Sequence, residues 1–388
     1  MRSIGLVTTS RADWGIYRPL ARAIDLDAEL DLNLIVSGMH LSPEFGMTVE
    51  QIEAEGFEVA ERVECLLSSD SPQGTAKSMG IGVMGFAQAL ERLRPDILLV
   101  LGDRFEMFAA ALAAVPFNLP IAHVHGGELT LGAIDDCLRH ALTKLSHLHF
   151  VSTEEYGRRV MQMGEEPWRV VVCGAPSLDN LAQMELWGKD ELEEDIGLAL
   201  EPPPLLVTFH PATRELSGTG EQVDELLEAL AEIARPVIFT MPNADTGSRV
   251  VAERISAFTQ KHRFAHIRDN LGSRKYFSLM ASAAAMVGNS SSGILEAASF
   301  KLPVVNIGSR QQGRIRPQNV IDVPCEQGQI LEGIRLALDP GFRADLEGLQ
   351  NPYYQGGAAA IIADHLKKVA LDQNLTAKSF HDLGEANW

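Results

Sequence analysis

Two histidines stand one residue apart, His123 and His125, and Glu128, Asp135, Asp136, Arg139 and His140 follow closely. Imidazoles beside carboxylates can bind a metal, move protons as general acid and base, or satisfy one another in a polar network. The spacing matches no sharp zinc signature. If the pair closes a strand, both rings face the same side. A second cluster is Gly288-Asn-Ser-Ser-Ser-Gly293. It follows an apolar run and opens a helix pattern over 294–300, so free backbone N–H groups and three hydroxyls could meet a diphosphate. A plain helix cap needs only one serine. Glu296 lies one turn into that pattern. A carboxylate there opposes an anion unless it accepts hydrogen bonds from a ribose diol. Its other reading is a solvated helix residue.

Arg11, Arg104 and Arg310 each stand just past an apolar run. A guanidinium suits bidentate phosphate contacts. Any one of the three serves equally as a structural ion pair; the set is the signal. His210-Pro211 follows another run, where the imidazole could assist a leaving group or cap a turn. Gly80, Gly82 and Gly85 spell a dinucleotide fingerprint, with Asp103 at about the right distance. That reading needs a strand immediately before it, and a polar loop at 68–74 stands there instead. The glycines therefore predict close helix packing or a cleft lining.

These residues need a scaffold that brings strand ends together. Short apolar runs recur at 3–7, 32–36, 97–101, 121–124 and 148–151, then at 205–208, 237–240, 265–267, 285–287 and 304–307. Amphipathic stretches such as 15–24, 88–93 and 221–233 separate them. Continuous apolar strands alternating with helices predict an α/β fold with buried parallel sheets. The pattern restarts after Glu201-Pro-Pro-Pro204. Two Rossmann-like lobes follow, 1–175 and 176–355, with the active site in the interdomain cleft. A helix near 356–371 returns to the first lobe, and the polar tail after Gln373 is expected to fray. In such sheets ligands gather beyond the carboxyl ends of the strands, where the arginines, the histidines, Asp103, Glu128 and the 288–293 cluster lie.

The chain has 388 residues, ordinary globular composition and a formal charge of −19. An acidic surface repels nucleic acid and anionic lipid, so neither is an expected partner. The four cysteines are scattered without a CxxC pair, as in a reducing cytoplasm. No apolar stretch reaches the 18 residues a membrane span needs, and the N-terminus reads as a first strand rather than a signal peptide.

The stretches TTSRADWGIYRPL, LGDRFEMFAAALAA, HVHGGELTLGAIDDCLRHALTKLSHLHFVSTEEY, TFHPAT, PNADTGS, GNSSSGILE and VVNIGSRQQGR run in order from residue 8 to about 314. Together they resemble the hydrolysing UDP-N-acetylglucosamine 2-epimerases of bacterial sialic- and legionaminic-acid synthesis. They also resemble the epimerase half of the animal bifunctional enzyme. The resemblance implies a GT-B-like pair of Rossmann-like lobes. The reaction it implies removes the C2 proton, expels UDP, hydrates the 2-acetamidoglycal and returns a proton to the opposite face of C2. By the same resemblance Arg11, His210, Asn243, Ser290, Ser291, Glu296 and Arg310 hold UDP, with His40 a further substrate contact. Asp103, Arg104, His123, Glu128 and Asp135 serve the reacting sugar. Several relatives carry Glu where this chain has His125. The C2 base is then His125 itself, Asp103 or Glu128. The sugar is GlcNAc, giving ManNAc, or a 2,4-diacetamido-trideoxy analogue. The resemblance implies a homodimer or homotetramer, and neither a cofactor nor a metal. A non-hydrolysing epimerase, a GT-B glycosyltransferase and a nucleotide-sugar sensor are the rival readings.

Overall fold

The computed structural model describes residues 1–69, 71–131, 134–211, 218–241, 247–268 and 271–383. The described residues form thirteen strands: β1 (Arg2–Thr8), β2 (Leu30–Ser37), β3 (Val59–Val63), β4 (Ile97–Leu101), β5 (Ile121–Val124), β6 (Leu148–Val151), β7 (Val170–Val172), β8 (Leu205–Thr208), β9 (Val237–Thr240), β10 (Ala265–Ile267), β11 (Ala285–Gly288), β12 (Val304–Ile307) and β13 (Val320–Val323). They form two sheets, ordered β3-β2-β1-β4-β5-β6-β7 and β10-β9-β8-β11-β12-β13. Every pairing is parallel. The central strands are short apolar runs buried along their whole length, Ile97-Leu-Leu-Val-Leu101 among them. Helices must therefore cover both faces. Each sheet starts at its middle, winds one way for three strands, then reverses. The reversal lies between β1 and β4 in one sheet and between β8 and β11 in the other. There the crossovers diverge and leave a crevice beyond the strand ends.

The chain divides into two compact units. Unit 1 comprises 1–128, 135–182 and 353–388; unit 2 comprises 129–134 and 183–352. The sequence placed the first boundary at 175. It lies at 182, because Asp179 caps a helix from the far end of the chain. Its carboxylate accepts from the backbone N–H of Ala358 at 3.1 Å and of Ala359 at 2.6 Å. That helix, Ala358–Lys368, buries Ile362 and Leu366 in the unit 1 core. Each such side chain contributes about 2 kcal/mol.

The tail does not fray where it was expected to. A turn of helix at Gln373–Thr376 receives the buried Arg169 guanidinium on the carbonyls of Asn374 (2.7 Å) and Leu375 (2.8 Å). The His381 amide donates to the Gly164 carbonyl at 2.8 Å. The glycines at 82 and 85 lie in the helix Pro72–Leu93. A Cβ on Gly82 would stand 3.1 Å from Ala109 Cβ, and one on Gly85 2.7 Å from Val63 Cγ1. Close packing is their role.

Candidate active site

In unit 1, β5 ends at Val124 and the chain turns at His125, whose φ is +65°. That left-handed conformation costs a non-glycine residue roughly 1–2 kcal/mol, and such outliers gather at functional positions. The His125 amide is held by the Phe150 carbonyl at 3.0 Å. Its Nδ1 donates to Glu128 Oε1 at 2.6 Å. A carboxylate can only accept, so a ring proton sits on Nδ1, and in the neutral imidazole the lone pair is on Nε2. Nε2 is buried and has no hydrogen-bond partner among the described residues.

Glu128 is itself fixed. Its Oε1 also accepts from Ser152 Oγ at 3.1 Å, and its Oε2 from Arg139 Nη1 at 3.3 Å. The second arm of Arg139 donates to Asp103 Oδ2. Arg139 is 2% exposed and Glu128 1%. Asp103, Arg139, Glu128 and His125 thus form one connected chain. A buried guanidinium between two carboxylates is held by charge-assisted bonds on both sides.

His123 has a different task. It lies inside β5, fully buried. Its Nε2 donates to the Gly102 carbonyl at 2.8 Å, and Nδ1 accepts from Thr143 Oγ at 3.3 Å. Burial pushes its pKa down from 6.5 to about 3, against the opposing pull of the Gly102 carbonyl. It stays neutral near pH 7. The sign for stability follows: the unfolded chain takes up this proton near pH 6.5, the folded one near 3. The stability it contributes is complete above 6.5 and drains away as pH falls towards 3. Burial lowers His149 in the same direction. Urea midpoints at pH 7.5, 5.5 and 4.5 should fall in that order, and His123→Gln should flatten the trend. An unchanged midpoint at pH 4.5 would contradict a buried neutral imidazole.

Arg104 follows Asp103, and the fully buried Glu106 holds both its arms, at 3.1 and 3.2 Å. Burial raises Glu106 and Arg104 partly offsets this. Asp135 opens the helix Asp135–Leu145, which carries Arg139 and Thr143 on its buried face. Arg11 opens the helix Arg11–Asp25 and is exposed. His40 does not match the expectation of a substrate contact. It is completely buried, with ring nitrogens 3.0 Å from Thr8 Oγ1 and 2.7 Å from Thr48 Oγ1. Both nitrogens are used in supporting the loop that Asp13 caps at the end of β1, which leaves none for a ligand.

In unit 2, Asn289 clamps the two strands at the winding reversal. Its Oδ1 accepts from the His210 amide at 2.7 Å and its Nδ2 donates to the His210 carbonyl at 2.8 Å. The Asn289 carbonyl accepts from Arg310 Nη1 at 3.2 Å and Gln311 Nε2 at 2.8 Å. Gly288 makes the clamp possible. Its φ is +133°, and a Cβ there would lie 1.9 Å from the Thr208 carbonyl oxygen. Gly288→Ala should lower stability by about 3 kcal/mol or more, read from urea unfolding. A wild-type midpoint would contradict the clamp.

The helix expected over 294–300 is instead one α-turn, Ser291–Leu295, followed by a 3-10 turn at Ala297–Phe300. Ser290 caps it by accepting from the Ser292 amide at 3.3 Å. Glu296, at its end, accepts from Ser292 Oγ at 2.7 Å. The Tyr276 hydroxyl lies among Ser292, Thr208 and Ser290, and burial raises its pKa to about 12, so it remains a donor. Beside Asn289 opens a cavity of about 620 Å³, lined by Gly308, Ser309, Arg310, Gln312 and Arg316 among others. Asn243 lies outside the described residues. Among the described residues no three His, Cys, Asp or Glu side chains converge as metal ligands. No described helix is long and apolar enough to cross a membrane.

Unit 1 therefore links Asp103, Glu128 and His125 through Arg139 and holds His123 separately on Gly102 and Thr143, and unit 2 gathers His210 and Arg310 around Asn289. The sequence had singled out neither Asn289, Glu106, Ser152 nor Tyr276. For Asn289 a signal existed, since it lies inside the Gly288–Gly293 cluster; for Ser152 there was none.

The family model described as UDP-N-acetylglucosamine 2-epimerase matches residues 22–367. A GDP/UDP-N,N'-diacetylbacillosamine 2-epimerase (hydrolyzing) of Campylobacter jejuni is 43% identical over 83% of this chain and 84% of its own. The corresponding UDP-N,N'-diacetylbacillosamine 2-epimerase (hydrolyzing) of Legionella pneumophila is 38% identical over 87% and 89%. Polysialic acid biosynthesis protein P7 of Escherichia coli is 36% identical over 99% and 98%. Among solved structures, the UDP-GlcNAc 2-epimerase of Neisseria meningitidis bound to UDP-GlcNAc superposes with a TM-score of 0.81 at 18% identity, covering 95% of this chain and 100% of that one. At that identity the likeness speaks for the fold, two Rossmann-like units of parallel sheet. The family model spans most of both units, and with relatives of this identity over most of their length, the chain belongs to the UDP-N-acetylglucosamine 2-epimerase family.

Proposed function

We propose that the protein is a hydrolysing 2-epimerase of a UDP-activated 2-acetamido sugar, with UDP-N,N'-diacetylbacillosamine as its first substrate. The observation that carries the mechanism is the buried His125 Nε2, a lone pair with no partner among the described residues, behind which Glu128 holds the ring. Two relatives bear the name of that substrate, at 43% and 38% identity. UDP-GlcNAc is the second reading, favoured by the Neisseria meningitidis serogroup B relative named UDP-N-acetylglucosamine 2-epimerase, 31% identical over 89% of the chain.

In this reading His125 Nε2 removes the C2 proton. The electron pair left at C2 forms the C1=C2 bond, and the C1–O bond to UDP breaks. Glu128 stabilises the imidazolium so formed, as a carboxylate does for a general-base histidine. Water then adds to C1 of the glycal, and a proton reaches C2 on the opposite face. Asp135, at the start of the Arg139 helix, is the candidate donor. Asp103 lines the sugar, and Arg139 holds Asp103 and Glu128 in place by donating to both carboxylates. His123 acts through Gly102: it fixes the carbonyl beside Asp103 and does not itself exchange protons. Unit 2 holds the nucleotide. Arg310, Ser290, Ser291 and the Tyr276 hydroxyl meet the leaving diphosphate, His210 assists it, and Glu296 accepts from the ribose. Arg11 and Arg104 add positive charge, and Asn243 completes the set implied by the family. Among the rivals, a non-hydrolysing epimerase would keep UDP attached and a glycosyltransferase would require an acceptor. A homodimer or homotetramer is the expected assembly.

The test is product analysis after incubation with each nucleotide sugar, without acceptor. Free UDP and a free 2-epimeric sugar are expected, faster from the diacetamido substrate. An epimerised but intact nucleotide sugar would contradict hydrolysis, and no turnover of either would contradict the activity.

A further inference from the structure

The C-terminal segment reaches the catalytic helix from behind. Lys378 Nζ lies 3.3 Å from the Thr143 carbonyl, 2.8 Å from that of Lys144 and 2.7 Å from that of Ser146. These carbonyls lie in and just beyond the last turn of the helix Asp135–Leu145, where the helix's own amides run out; that of Thr143 also accepts from the Ser146 amide at 3.2 Å. The ammonium also lies 2.8 Å from Glu165 Oε2. Glu165 is fully buried and further accepts from Lys144 Nζ at 2.6 Å and His149 Nε2 at 2.9 Å. Lys378 thus brings three donors and a positive charge to the negative end of the helix dipole. Its segment is anchored by Arg169 on the 374 and 375 carbonyls and by the His381 amide.

The helix it caps is only 11 residues long, marginal without tertiary support. Its buried face carries Arg139 and, one turn later, Thr143. Arg139 joins Asp103 to Glu128, and Thr143 donates to His123. A shift of this helix therefore displaces three groups around the reacting carbon together. We propose that Lys378 is a positioning residue for catalysis. By locking the end of the helix Asp135–Leu145, it sets the register of Arg139 and Thr143, and through them of Glu128, Asp103 and His123. This rests on the reading of His125 as the base.

The experiment compares Lys378→Met and Lys378→Arg with wild type and with His125→Gln in the full chain. It measures kcat, KM, UDP affinity by calorimetry and amide hydrogen exchange over 136–146. Lys378→Met is expected to lower kcat about tenfold, as small misplacements of catalytic groups do, with KM and UDP affinity unchanged and faster exchange over 142–146. Lys378→Arg should recover most of the rate, because a guanidinium can cap the same carbonyls. Should the Met variant fail to accumulate, Lys378→Gln, which keeps two donors without the charge, gives the same readout. Faster exchange with an unchanged kcat would overturn the proposal and leave the segment a stabilising strap. A rate loss that Arg does not restore, with UDP affinity falling equally, would overturn it in favour of general unfolding. If His125→Gln keeps its rate, the reading of the base fails, and the positioning role fails with it.

Discussion

Replacing His125 with Gln is expected to lower kcat by about 10³-fold, within the range a positioned general base supplies. That corresponds to roughly 4 kcal/mol of lost transition-state stabilisation. Gln keeps a polar group of similar reach but offers no basic nitrogen to C2. UDP affinity by calorimetry should not change, because His125 acts on C2 of the sugar and the groups that meet the nucleotide are left intact. Glu128→Gln should fall in the same direction. It leaves the ring without the carboxylate that fixes its tautomer and stabilises its charged form. A His125→Gln enzyme within a few-fold of wild type would remove the imidazole from the mechanism and leave Asp103 or Glu128 as the base.

The second large effect is expected at Arg139. Its guanidinium is 2% exposed and lies between the carboxylates of Asp103 and Glu128. Arg139→Leu removes the positive charge and leaves a buried carboxylate, Glu128, without its counterion. Breaking a buried pair in this way typically costs about 3–5 kcal/mol. The variant should lose stability in urea by that order and lose turnover entirely. Lys restores the charge but not the two-armed geometry, so Arg139→Lys should regain more stability than rate. Wild-type stability in Arg139→Leu would show that the carboxylates are not held in their charged form.

The central strands were legible because parallel strands buried on both faces are nearly continuous apolar runs. β3 was not, for a physical reason. It is an edge strand, Val-Ala-Glu-Arg-Val, whose exposure alternates, and so short a polar-apolar pattern resembles a loop. The contacts that tie residues 176–182 to unit 1 were not legible, because the partners of Asp179 are amides some 180 residues away. The tail reads as polar and frayed until Arg169, far earlier in the chain, is seen to bind its carbonyls. The two histidines at the end of β5 show where a spacing rule stops. Residues i and i+2 share a face only while the strand continues. β5 ends at Val124, and the positive φ of His125 releases it from the alternation. His123 is then a neutral support with both nitrogens engaged, whereas His125 Nε2 has no partner among the described residues. A histidine at a strand end looks the same in sequence whether it meets a ligand or, as His40 does, two buried threonines.

The measurement that bears most directly on the central claim is turnover of the diacetamido nucleotide sugar in deuterated water, followed by proton NMR. Release of UDP together with a 2-epimeric free sugar carrying one deuterium at C2 is expected. Such a product requires a base to remove the C2 proton and an acid to return one from solvent. UDP release with the C2 proton fully retained would contradict C2 deprotonation and, with it, the role assigned to His125 and Glu128.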